Sequence, residues 1–118
     1  SAMSPTIVFD RHGDFLVSVG SPGGPAIIDY VSQILIGILD AKMTPKQAIS
    51  MPHEINMNGP TLLERSPNSD ALAAQLTAMG HTVQVPGIEG SGLHGIQKVK
   101  DGYVGAADPR RDGIALGD

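Results

Sequence analysis

The chain has 118 residues and a net charge of −4, from eight Lys and Arg against twelve Asp and Glu; that length suits one domain, spanning 1–118, with a core of moderate size. Acids and bases are scattered with no run of one sign, which argues against nucleic acid or an anionic membrane as the main partner. The lack of cysteine removes disulfides, thiolate metal sites and a cysteine nucleophile, and leaves the compartment open.

In chain order, residues 6–9 and 15–19 are β-branched or aromatic runs separated by Asp10-Arg11-His12-Gly13-Asp14, which predicts an antiparallel hairpin. The stretch Gly20-Ser21-Pro22-Gly23-Gly24 then leads into Ile27, Ile28, Val31, Ile34, Leu35 and Ile38, whose three-and-four spacing predicts one face of a helix of roughly four turns. Asp29, Ser32, Gln33 and Asp40 interrupt this apolar run, so it falls short of the ~20 nearly uncharged residues of a membrane span. No membrane-crossing segment is expected, and residues 1–5 lack the charged and apolar regions of a signal peptide.

Thr44-Pro45-Lys46-Gln47 has the pattern of a capping box opening a short second helix, which Pro52 ends. Residues 52–65 read as irregular. Ser66-Pro67 repeats the cap-then-proline signature, and a third helix with Leu72, Leu76 and Met79 on one side follows until Gly80. A short run at 81–85, a strand at 95–100, a two-residue turn at Asp101-Gly102 and a returning strand at 103–107 complete the order. The expectation is therefore two strands, three helices, then two or three strands. Aromatic residues make up only 3% with no Trp, and since aromatics carry much of a core's buried area, part of the surface is expected to pack on another chain segment.

The glycine-rich step at 20–24 has two readings. It is a turn that needs positive φ, which the residues alone favour, or it is a helix N-terminus whose free backbone N–H groups meet an anion. Ser21 is no nucleophile elbow, because G-x-S-x-G would need glycine where Val19 stands. Residues 90–95 match G-x-G-x-x-G, but a strand follows where the dinucleotide fingerprint needs a helix. His53-Glu54 opens like a zinc motif, yet Met57 stands where the second histidine belongs, and His12, His53, His81 and His94 are far apart. No metal and no cofactor are expected. Asp108-Pro109-Arg110-Arg111-Asp112 reads as an ion-paired corner in preference to an anion site. From the residues alone no nucleophile or general base stands out.

In order, "SAMSPTIV", "GSPGG", "NGPTLLE", "SGLHGI" and "GAADPRRDGIALGD" resemble the C-terminal part of the small subunit of γ-glutamyltransferases (γ-glutamyltranspeptidases), from Ser1 to Asp118. The resemblance implies an α/β (α+β) piece of the four-layered αββα sandwich of N-terminal nucleophile hydrolases, mostly antiparallel strands with about three helices. It implies transfer or hydrolysis of γ-glutamyl groups, as in glutathione, through an acyl-enzyme on an N-terminal threonine. It also implies that Gly23 and Gly24 supply the oxyanion hole through their backbone N–H groups, and that Ser1 helps to hold the glutamyl α-carboxylate. Ala2 stands where the second serine of that pair is usual, leaving only its N–H. The threonine, the residues that grip the α-amine and a carboxylate-pairing arginine belong upstream of Ser1, so the chain alone is expected to be silent.

Implied partners are a γ-glutamyl substrate, the remainder of the small subunit and the large subunit, with self-association of the isolated piece and a periplasmic or secreted location. Met51-Pro52-His53-Glu54 departs from the family's Ala-Pro-Arg run, which bears on substrate preference. The competing reading is a non-catalytic binding or scaffolding module that keeps the glycine step only as a strand-to-helix joint.

Overall fold

The computed structural model describes residues 3–86 and 90–117. It divides into two compact units, Ser1–Met51 with Gly90–Asp118, and Pro52–Glu89.

In the first unit, alternation of side chains along strands makes a sheet with two unlike faces. Strands β1 (Thr6–Phe9) and β2 (Phe15–Gly20) form the expected hairpin, its turn closed by Asp10, whose Oδ1 accepts from the amides of His12 at 2.8 Å and Asp14 at 3.1 Å. Two later strands, β6 (His94–Val99) and β7 (Gly102–Ala107), complete a four-stranded antiparallel sheet in the order β1-β2-β6-β7. Helices α1 (Ile27–Leu39) and α2 (Pro45–Ser50) bring the core: Ile27, Tyr30, Val31, Ile34 and Ile38 from α1, Ala48 and Ile49 from α2, with Val17 and Val19 buried on the sheet. A Cβ built on Gly95 would touch both Ile49 and Val19, which identifies the helix-covered face.

The opposite face is open. Ile7, Ser18, Ile96 and Gly105 follow one another across the four strands, and Ile96 is 50% exposed, with Ile7, Phe9 and Tyr103 more exposed still. The C-terminal segment crosses this side, Ala115 lying against Gly105. A groove of about 910 Å³ runs here, lined by Pro5, Ser18, Gly20, Ile96, Tyr103 and Ala115 among others.

The second unit is smaller. β3 (Glu54–Ile55) pairs antiparallel with β4 (Thr61–Leu63), which pairs in parallel with β5 (Val83–Gln84), and α3 (Ser69–Ala78) is the crossover between the parallel strands. Ile55 and Leu63 are its buried apolar side chains among the described residues. The third helix ends in a Schellman motif, with the amide of His81 on the carbonyl of Leu76 at 3.0 Å and that of Gly80 on Thr77 at 3.0 Å.

The α+β class, the mainly antiparallel pairing and the three helices agree with the sequence reading. Five particulars differ. Residues 52–65 hold β3 and β4, so the third helix follows four strands and does not follow α2 directly; strands of two and three residues are too short to show alternation. Asn56 organises the turn between them, its Oδ1 accepting from the amide of Asn58 at 2.8 Å. The third helix starts at Ser69 with Asn68 as N-cap, because the backbone of Ser66 instead closes a turn with Ser69, its carbonyl accepting from the Ser69 amide and hydroxyl and its amide donating to that hydroxyl oxygen.

On α1 the buried face includes Tyr30 and Gly37 while Ile28 is 68% exposed, and Gly37 is buried against α2, where a Cβ would lie 3.1 Å from Ala48. Leu72 and Met79 on α3 are exposed, and of the predicted apolar side of that helix Leu76 alone is half-buried among the described residues. Finally, the last hairpin turns at Lys100-Asp101, Val99 pairing with Gly102, so Gly102 is the first residue of β7 and alone takes a positive φ there. The capping box at Thr44 is present in both directions, Gln47 N to Thr44 Oγ1 at 3.2 Å and Thr44 N to Gln47 Oε1 at 3.0 Å. Among the described residues no helix is long and apolar enough to cross a membrane.

Candidate functional site

Strand β2 ends at Gly20, and the next residue disappears into the protein. Ser21 is buried; its amide donates to the carbonyl of Met3 at 3.2 Å, and its hydroxyl donates to the carbonyl of Pro22 at 2.7 Å while accepting from the amide of Gly92 at 3.2 Å. The chain then reverses through Gly23 (φ 139°, ψ 20°) and Gly24 (φ 62°) into one 3₁₀ turn, Gly24–Ala26, which feeds α1. These two glycines are required for different reasons. A Cβ on Gly23 would lie 2.6 Å from Cε2 of the buried Tyr30 and 3.2 Å from the carbonyl oxygen of Gly90, so no side chain fits. At Gly24 the space is open, and only its left-handed backbone selects glycine.

The backbone bonds of this turn run from Ser21 N to Met3 O and from Ile27 N to Gly24 O. Among the described residues neither the amide of Gly23 nor that of Gly24 donates to a backbone carbonyl. Two consecutive donors at the mouth of a helix are thus left for something else to satisfy. The large groove lies on the open sheet face and reaches the turn only as far as Gly20.

Behind the turn stands a second constellation. Asp108 is 2% exposed. Its Oδ2 accepts from the Ser91 hydroxyl at 2.5 Å and the Leu93 amide at 3.0 Å, and its Oδ1 from the Arg110 amide at 2.9 Å and the Arg110 guanidinium at 3.1 Å. Burial by itself pushes this carboxyl up; the hydrogen bonds from the Ser91 hydroxyl, the Arg110 and Leu93 amides and the Arg110 side chain together outweigh it and hold the group below its ordinary value. Arg110 also donates to the carbonyls of Ile49 and Met51, each at 2.8 Å, and Arg111 donates to the carbonyl of Gly90 at 2.7 Å. The 108–112 segment is therefore an ion-paired corner.

Of the residues singled out from the sequence, Gly23 and Gly24 sit together at the turn, whereas Ser1 and Ala2 lie outside the described residues. Met3, two positions beyond Ser1, touches Ser21. Sequence reasoning missed the tie between Ser21, Ser91 and Asp108, whose links span up to 71 positions; no local spacing carries that signal. Among the described residues no three His, Cys, Asp or Glu are grouped to hold a metal ion.

A family model for gamma-glutamyltranspeptidase matches residues 1–118. The chain belongs to the γ-glutamyltranspeptidase family. It is 29% identical over 120 residues to a glutathione hydrolase proenzyme of Pseudomonas aeruginosa, which covers 98% of this chain and 21% of that protein. Its fold is similar to a γ-glutamyltranspeptidase of Pseudomonas nitroreducens in complex with L-DON (TM-score 0.86, 25% identity, 100% of this chain and 63% of that one). It is also similar to the T380A mutant of the Helicobacter pylori γ-glutamyltranspeptidase (TM-score 0.81, 31% identity, 94% of this chain and 62% of that one). The sequence thus spans about a fifth of the proenzyme and under two thirds of the matched chains in the solved structures. These neighbours carry the N-terminal nucleophile hydrolase fold of the γ-glutamyltranspeptidases.

Proposed function

We propose that this chain is the C-terminal portion of a γ-glutamyltransferase small subunit and that it supplies the oxyanion hole of an acyl-transfer reaction. One observation carries the reading: the amides of Gly23 and Gly24 stand side by side where a strand becomes a helix, with no backbone acceptor of their own among the described residues. In the reaction a threonine oxygen from the preceding part of the family's small subunit attacks the γ-carbonyl of a γ-glutamyl amide such as glutathione. The carbonyl oxygen becomes an alkoxide and is met by the two amides. The C–N bond then breaks, the threonine's proton passes by way of its α-amine to the leaving nitrogen, and the γ-glutamyl ester goes on to water or to an amino acid or peptide amine. A preorganised donor of this kind contributes roughly 3–4 kcal/mol to the transition state.

Ser1 and the amide of Ala2 contact the substrate's α-carboxylate. The run from Met3 beside Ser21 supports that role, since it brings this end of the chain to the same turn. The open sheet face, with Ile7, Phe9, Ile96 and Tyr103 exposed, supports a place inside a larger sandwich closed by the rest of the small subunit and by the large subunit. Isolated, the piece self-associates through that face. The parent acts in the periplasm or outside the cell.

The test is turnover of γ-glutamyl-p-nitroanilide. The parent proenzyme, once processed, releases nitroaniline, while the purified 118-residue chain stays at the buffer rate. Release by the chain alone would overturn the assignment of the nucleophile to the missing part.

A further inference from the structure

Ser21, Ser91 and Asp108 are the buried polar side chains of the first unit among the described residues, and they form one continuous path that ends at the glycine turn. We propose that Asp108 is a positioning residue for the Gly23-Gly24 amide pair, acting through Ser91 and the 90–93 backbone. The proposal rests on the oxyanion reading given above.

The segment 90–93 is gripped from behind at three points. Asp108 Oδ2 takes the Ser91 hydroxyl at 2.5 Å and the Leu93 amide at 3.0 Å, and Arg111 takes the Gly90 carbonyl at 2.7 Å. In front, the same segment backs the turn at both ends. The Gly92 amide donates to Ser21 Oγ at 3.2 Å, and a Cβ on Gly92 would sit 2.8 Å from the Pro22 ring, so backbone presses directly on proline. The Gly90 carbonyl lies 3.2 Å from where a Cβ of Gly23 would stand, and Tyr30 of α1 closes the other side at 2.6 Å. Gly23 is therefore held between a helix and a loop, and the loop is fixed by Asp108.

A buried carboxylate is an uneconomical way to gain stability, because desolvation consumes most of what its partners return. It is an effective way to fix geometry, since four hydrogen bonds converge on one carboxyl group and tie residues 91, 93 and 110 together. Catalysis by amide dipoles depends on that kind of fixed aim, because donors that must reorient at the moment of reaction lose most of their effect.

The experiment uses the processed parent enzyme with Asp108→Asn, Ser91→Ala and Ser21→Ala, and Leu63→Ala in the second unit as a control for general loss of stability. Steady-state kinetics with γ-glutamyl-p-nitroanilide are combined with hydrogen–deuterium exchange over peptides covering 20–26. The expected result is a fall in kcat of about tenfold or more, with KM within about twofold, together with faster exchange in 20–26. Leu63→Ala should leave kcat per folded enzyme unchanged. If Asp108→Asn does not fold, the two serine variants carry the test, since each removes one link and no charge.

Unchanged exchange, with or without a change in kcat, would overturn the proposal while leaving the oxyanion reading untouched. Faster exchange with unchanged kcat would show a tether that catalysis does not need and would overturn the positioning role of Asp108, while the oxyanion reading would stand or fall on the aim of the two amides in an acyl adduct.

Discussion

The two faces of the four-stranded sheet differ sharply. On the side of α1 and α2, Val17, Val19, Ile34 and Ile49 are buried in a finished core; on the other, Ile7, Phe9, Ile96 and Tyr103 are exposed, and Ala115 of the C-terminal segment lies against Gly105. An antiparallel sheet with one face in water commonly carries polar residues on that face. The apolar character of this one marks a surface meant to be covered, and it agrees with a chain that spans only part of its relatives.

That contrast is sharpened most by deletion of side chains. In the 118-residue chain, Ile34→Ala should cost about 2–5 kcal/mol in urea unfolding, the usual range for a fully buried aliphatic side chain. Ile96→Ala, half exposed, should cost less than about 1 kcal/mol. The comparison is made at a dilution where the chain is monomeric; equal losses there would mean that the open face is already packed within the chain itself.

Next in size is the corner at Asp108. Its carboxyl is held below the ordinary value when folded, so its stabilising contribution is complete above the unfolded value of about 3.9 and is lost as pH falls through the folded value. Melting temperature should therefore drop more steeply with acidification below about pH 4 in the unmodified chain than in Asp108→Asn. Parallel curves would show that the corner does not couple protonation to folding.

The two glycines give the finest comparison. Gly24→Ala places a methyl in open space at φ 62° and should cost about 1–2 kcal/mol, the ordinary penalty of a left-handed residue. Gly23→Ala must also displace the Tyr30 ring, so it should be clearly the more destabilising of the pair by thermal melting. A reversed order would mean that the turn repacks freely.

Much of this was written locally in the sequence. The Asp10–Asp14 hairpin, the Thr44 capping box and the Gly80 helix stop rest on residues within a few positions of one another, and each forms as its chemistry requires. What escaped was set at long range or at very short length. Two- and three-residue strands have no readable period. Ile28 is as apolar as Ile27, and only the placement of the sheet decides which is buried. The glycine pair was visible as a step before a helix, but the residues alone favoured a plain turn. The lack of a backbone acceptor for its amides among the described residues, and its support from Ser91 and Asp108, depend on how distant parts of the chain come together.

The central claim is that the amides of Gly23 and Gly24 receive the oxygen of the acyl group under attack. A crystal structure of the processed parent carrying a covalent γ-glutamyl adduct tests it most directly. The account predicts the adduct oxygen at about 2.7–3.1 Å from both nitrogens. An oxygen held by other donors, with both glycine amides left to solvent, would contradict it.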